Sequence, residues 1–117
     1  MQHESKKIAQ IVNEILALLL LYGAENVEIK VNTNLTDQCQ ETEITLIQYN
    51  SKCSKELVEK LSYNLNTPRQ HELEGYYWQL VGEDDNGDEL HLVGTMVDKA
   101  KVEMKGNDLY IQLIRKN

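Results

Sequence analysis

Apolar residues recur every three to four positions near the start of the chain, and this spacing predicts a helix over residues 5–22. The apolar positions in this stretch are Ile8, Ile11, Val12, Ile15, Leu19 and Tyr22. Glu14 falls on the polar side, so we expect it to face solvent. The last two turns are apolar all round, so we expect that end of the helix to be covered on both faces or to meet a partner. Gly23 is the expected helix stop.

Two stretches then alternate apolar and polar residues, which is the pattern of half-buried strands. These strands are predicted over residues 26–32 and 43–49, with a polar loop over 33–42 between them. A second helix is predicted over 54–65, with Leu57, Val58, Leu61 and Leu65 on one face. A third is predicted over 70–81. Pro68 separates these two helices, and Gly82 ends the third.

The stretch that follows Gly82 allows two predictions. Residues 77–81 and 89–94 form a hairpin if Asn86-Gly87 is the turn between them, and local propensity leans slightly towards this structure. A helix over 88–97 is the alternative, since Leu90, Val93 and Val97 fall on one stripe. A terminal hairpin is clear, with strands over 102–105 and 108–115 joined by Gly106-Asn107.

Length and charge narrow the class of protein. A chain of 117 residues predicts a single domain over 1–117, and its formal charge of −7 disfavours nonspecific binding to nucleic acid or to anionic membranes. The longest apolar run, over 15–22, is too short to span a membrane. Cys39 and Cys53 show no CxxC spacing, and no signal peptide is visible, so we expect reduced thiols and a cytoplasmic location.

Two blocks of sequence resemble the histidine-kinase-like (GHKL, Bergerat-fold) ATPases, and most closely their anti-sigma-factor serine kinases. The family's first pocket helix carries Glu, then Asn four residues later, then a His-Gly or similar pair before a strand. Glu14 and Gly23 match this pattern, whereas Leu18 stands in place of the Asn. The second block, residues 89–103, looks like the kinase pattern Gly-Leu-x-Leu-Val/Ile-x-x-x-x-Asp-x-Val-x. This likeness favours the helix over 88–97.

The resemblance covers about residues 7–116 and implies an α+β fold. It implies a two-layer α/β sandwich in which a mixed sheet of about four strands carries helices on one face. In the family the Asn oxygen helps to hold Mg²⁺, and a leucine cannot do so. Where the family has Asp-x-Gly to recognise adenine, this chain has Tyr49 and Asn50. The vestigial pocket positions are therefore Glu14, Leu18, Tyr49 and Asn50.

The segment that corresponds to the family's phosphate-binding glycines is strongly acidic. Its carboxylates are Glu83, Asp84, Asp85, Asp88 and Glu89. They would repel a triphosphate, and their spacing does not match a calcium loop. The histidines and cysteines show no zinc-ligand spacing either. We therefore expect no catalytic residue, no bound cofactor and no metal.

The expected function is that of a non-catalytic regulatory or protein-binding module, derived from a GHKL ATPase, whose protein partner the sequence does not identify. The main alternative is a binder of a small molecule or an atypical nucleotide that uses the remodelled pocket around Glu14, Leu18 and Tyr49. A homodimer that mates through the apolar end of the first helix is also left open.

Overall fold

The computed structural model describes residues 4–51, 55–70, 72 and 90–117. Its elements in chain order are α1 Glu4–Leu21, β1 Val27–Leu35, β2 Gln40–Gln48, α2 Lys55–Leu65, α3 Leu90–Gly94, β3 Lys99–Lys105 and β4 Asp108–Lys116. The acidic segment and most of the predicted third helix lie outside the described residues. Gln70, the first residue of that predicted helix, is not helical.

The four strands form one sheet in the order β1-β2-β4-β3. The predicted α+β two-layer sandwich, with four strands and helices packed on the sheet, is confirmed. The sheet was expected to be mixed, but all three strand pairs are antiparallel. The strands form two hairpins, each closed by a short turn that forces its strands to run antiparallel, and β2 and β4 join the hairpins at the centre.

The register of the central strands sets which side chains enter the core. Ile44 lies opposite Leu113 and Leu46 opposite Ile111, so the same face of both strands is apolar. The helices cover this face. The most deeply buried core residues, drawn from α1, α2, α3, the turn after α3, β2 and β4, include Ile11, Ile15, Leu19, Ile44, Leu46, Leu61, Leu65, Val93, Met96, Leu109, Ile111 and Leu113.

The first hairpin is longer than its apolar pattern predicts. The predicted loop over 33–42 contracts to residues 36–39, because Thr33 pairs with Thr42 and Leu35 with Gln40. Backbone pairing does not need alternating hydrophobicity, so the apolar pattern did not predict that the strands continue through these polar residues. The predicted half-burial of β1 is wrong for Ile29 and Val31, which are 36% and 46% exposed.

The first predicted helix and the helix predicted before the terminal hairpin are largely confirmed. Gly23 ends α1 with a φ of +89°, where its N–H donates to the carbonyl of Leu20. The helix predicted over 88–97 is confirmed over 90–94, as α3, and residues 88 and 89 lie outside the described residues. The helix stops at Gly94, so the predicted helical state of 95–97 is wrong. The Thr95 hydroxyl donates to the Leu92 carbonyl at 2.6 Å and helps to close the turn.

Gly94 also fixes how α3 packs. A Cβ atom built on this glycine would lie 2.2 Å from the carbonyl oxygen of Asn64 in α2. Only glycine allows this close approach of the two helices. Among the described helices, none has the length and apolar character needed to cross a bilayer.

Candidate functional site

The four predicted pocket positions separate into two pairs. Glu14 and Leu18 lie one turn apart on the same side of α1, and they are only 5% and 3% exposed. Leu18 belongs to the apolar core. The prediction that Glu14 faces solvent is wrong, because the buried side of α1 is wide enough to include it. Neither residue reaches the cleft that the other pair lines.

Tyr49 and Asn50 line an open cleft of about 560 Å³. It lies where the end of α1, the start of β1 and the end of β2 meet. The other lining residues are Tyr22, Gly23, Glu25, Asn26 and Gln48. Pockets for small ligands usually measure roughly 300–1,000 Å³, so the volume suits one.

Backbone hydrogen bonds hold the floor of the cleft. The Tyr49 N–H donates to the Asn26 carbonyl at 2.9 Å and continues the ladder between β1 and β2. Asn50 has a φ of +53°, a left-handed conformation that asparagine tolerates better than most residues. Its N–H donates to Oδ1 of Asp108 at 3.1 Å. These bonds tie the cleft to the first residue of β4.

The Tyr49 hydroxyl is already engaged. It donates to Oε1 of Glu28 over 2.5 Å. This hydrogen bond, followed by loss of solvation, raises the pKa of Tyr49 to about 12 from 10.0. The phenol is therefore neutral at physiological pH, and its proton is directed to Glu28 on the sheet.

The charge of the cleft limits what it can bind. Among the described residues that line it, none has a cationic side chain, and Glu25 adds a carboxylate. The Asn26 and Asn50 side chains are exposed amides. Such a lining suits a neutral polar group and disfavours a triphosphate. Across the described residues, no group of three or more His, Cys, Asp or Glu side chains could hold a metal ion.

A buried ion pair at the opposite end of the sheet was not predicted from the sequence. Arg115, which is 1% exposed, donates from Nε and Nη2 to the two carboxylate oxygens of Glu4 at 2.8 and 2.9 Å. Its Nη1 donates to the Met96 carbonyl at 2.6 Å. The sequence does contain one indication of this burial, because Arg115 falls on the same alternate positions of β4 as the inward-facing Leu109, Ile111 and Leu113. We interpret this cluster as a structural clasp.

A second network of hydrogen bonds, which is partly covered, lies beside the clasp. Asp98 Oδ2 accepts hydrogen bonds from Arg69 Nη1 and from the Lys116 N–H, each at 2.6 Å. Arg69 Nη1 also donates to the Lys116 carbonyl. These contacts tie the segment after α2 to the last strand. They involve no residue of the cleft.

The candidate thiol and imidazole groups are scattered. Cys39 is a half-buried free thiol in the turn between β1 and β2, and His91 is exposed on α3. His3, Cys53 and His71 lie outside the described residues. Comparison of the chain with protein-family models, curated proteins and solved structures finds no match.

Proposed function

We propose that this domain is a non-catalytic regulatory module that binds a protein partner and derives from a GHKL ATPase whose Mg²⁺–ATP site has been lost. The observation that carries the proposal is the burial of Leu18. This residue occupies the position of the family's magnesium-binding amide, and it is packed into the core at 3% exposure. A metal ligand requires an oxygen atom and access to the cation.

The lining of the remaining cleft supports the same proposal. Adenine recognition in the family uses a carboxylate, whereas the corresponding strand end here carries Tyr49, whose hydroxyl donates a hydrogen bond to Glu28. Glu25 brings negative charge to a place where phosphates would need positive charge. Protein binding is then the activity that survives the loss of the nucleotide chemistry.

An exposed apolar surface supports a protein partner. The end of α1 presents Leu20, Leu21 and Tyr22, which are 55%, 60% and 53% exposed. We call these three residues the apolar end of α1. Contiguous exposed apolar residues with a polar rim are typical of protein interaction sites. The partner we propose is a protein with a complementary apolar surface, which the module meets in the cytoplasm.

A melting experiment with ATP and Mg²⁺ tests the loss of nucleotide binding. A ligand present at roughly 100 times its Kd stabilises a protein by ~2.7 kcal/mol, which would raise the melting temperature by several degrees. We expect no shift at millimolar ATP–Mg²⁺. The same titration with EDTA is the control. A shift of several degrees that needs both ATP and Mg²⁺ would contradict the proposal.

The cleft supports a second candidate function, the binding of a small polar molecule or an atypical nucleotide. Its volume of about 560 Å³ is the observation that favours this alternative. NMR titration with neutral polar ligands tests it, through shifts of the Asn26, Tyr49 and Asn50 amides. Glu25→Gln should alter the affinity of any such ligand, and Lys101→Gln on the distant strand β3 is the matched control.

A further inference from the structure

The outer edge of β1 exposes both its backbone and its apolar side chains. In the sheet order β1 is terminal, so in the part of the chain that the structure describes no strand lies on its outer side. The Tyr49 N–H donates to the Asn26 carbonyl, and the Thr36 N–H to the Cys39 carbonyl. Even-numbered residues of β1 therefore bond to β2, and the N–H and C=O groups of the odd-numbered residues point outward.

The side chains of the same odd-numbered residues lie on the helix-covered face of the sheet, and beyond Val27, which packs against the core, they are poorly covered there. Ile29, Val31 and Leu35 are 36%, 46% and 79% exposed. The other terminal strand, β3, carries lysines at 99, 101 and 105 among its seven residues. Charged residues of this kind protect a sheet edge from pairing. β1 has a single lysine in nine residues and lacks this protection.

We propose that two copies of this chain pair antiparallel through β1, with the two-fold axis at Ile29, to form a continuous eight-stranded sheet. Ile29 then lies opposite the partner's Ile29, and Val27 opposite the partner's Val31. The outward N–H and C=O groups of these residues form the new ladder. The isologous contact closes on itself and leaves no free copy of the edge.

Charge complementarity selects the axis at Ile29. Among the registers that bring outward groups together, an axis at Lys30 places two lysines opposite each other. An axis at Val31 places both charged residues opposite asparagines. The axis at Ile29 instead sets Glu28 opposite the partner's Lys30 twice. These are non-hydrogen-bonded positions, at which opposing side chains come closest.

The charged residues are already oriented for this contact. Glu28 Oε1 accepts a hydrogen bond from the Tyr49 hydroxyl at 2.5 Å, and Glu28 Oε2 lies 3.8 Å from Lys30 Nζ of the same chain. The Glu28 side chain is partly exposed, at 42%, and the Lys30 side chain is exposed, at 59%. The dimer would complete an alternating cluster of four charges on the uncovered face. The dimer contact shares no residue with the apolar end of α1, so a test of the dimer is independent of the proposed protein-binding function.

Sedimentation velocity over a micromolar to millimolar concentration range tests the dimer. We expect the wild type to double in mass as concentration rises. Glu28→Lys and Lys30→Glu should each weaken the dimer at least about tenfold, because each replaces two attractive cross-strand pairs with two repulsive ones. An equimolar mixture of the two variants should form a heterodimer as tight as the wild-type dimer. Leu21→Lys, on the apolar end of α1, is the matched control and should leave the dimer unchanged.

A proline pair tests the backbone contribution. Ile29→Pro removes only an outward N–H, so it should abolish the dimer while the domain keeps its circular-dichroism spectrum. Lys30→Pro removes an N–H that bonds to β2 and should lower the melting temperature instead. A wild type that stays monomeric throughout would overturn the proposal. Charge variants that dimerise like the wild type, or a dimer lost only in Leu21→Lys, would overturn it as well.

Discussion

The two ends of the sheet use similar groups in opposite ways. Where β4 finishes, the Glu4 carboxylate and the Arg115 guanidinium are buried together and bonded to each other. Where β2 finishes, the Glu28 carboxylate and the Tyr49 hydroxyl bond at the rim of an open cleft. We call these the closed end and the open end. A carboxylate bonded to a donor therefore acts as a structural clasp where a helix covers the pair, and it leaves a site accessible where no helix does.

Breaking the closed end should have the largest effect. Arg115→Met leaves the Glu4 carboxylate buried without its guanidinium partner, which should cost ~3–5 kcal/mol of unfolding free energy. Urea unfolding measures this loss. The double variant Glu4→Leu/Arg115→Met should recover most of it, because no buried charge remains. A loss below ~1 kcal/mol for Arg115→Met would mean that the clasp contributes little.

A substitution of Leu18 tests whether the middle of α1 is as well shielded from water as the buried ion pair. Leu18→Asn removes core packing and buries an amide, so we expect a loss of ~2–4 kcal/mol in urea unfolding. Ala17→Asn, at the exposed neighbouring position, should cost under ~1 kcal/mol. A loss below ~0.5 kcal/mol for Leu18→Asn would indicate a wet pocket. That result would promote the small-molecule function.

Gly94 tests how the closed end is supported, since α3 leads into the Met96 carbonyl that Arg115 binds. Gly94→Ala should cost ~1–3 kcal/mol, because its Cβ would meet the Asn64 carbonyl oxygen. Glu59→Ala, at an exposed position of α2, should change stability by less than ~0.5 kcal/mol. Thermal unfolding of both variants makes the measurement. Equal melting temperatures would contradict the tight helix contact.

The smallest effect is expected at the open end. Tyr49 should titrate with a pKa of about 12, and Glu28→Gln should return it towards 10.0. Because the folded state raises this pKa, the associated stabilisation is complete below pH 10 and is lost as the pH rises towards 12. Ultraviolet absorbance during an alkaline titration, compared with that of Tyr49→Phe, isolates this phenol. An unchanged pKa in Glu28→Gln would show that the hydrogen bond is not its cause.

Much of the fold follows from periodicity, because each element that buries one full face repeats its apolar residues at the spacing of its backbone. This holds for α1, α2 and β4. It fails for the outer strand β1, where Ile29 and Val31 alternate correctly but the helix layer leaves them exposed. Local pattern records which side chains share a face, and it does not record whether another layer covers that face.

The candidate site was predictable only in part. Tyr49 and Asn50 were placed correctly at a strand end, where they line the cleft. Glu14 was wrongly predicted to face solvent, because it lies at the border between the buried and exposed sides of α1. A rotation of one residue about the helix axis decides burial there. The ion pair between Glu4 and Arg115 joins residues 111 positions apart, and no local pattern connects them.

The central position of β4 has a consequence for synthesis on the ribosome. Of the described strands β4 is the last to be made, yet it lies between β2 and β3. Until β4 emerges, the inner edge of β2 has none of the described strands to pair with. The side chains of Ile44 and Leu46 also lack the β4 residues that lie opposite them. The four-stranded sheet therefore forms only after β4 has been translated, and the nascent hairpin β1–β2 is the segment that a holding chaperone would need to protect.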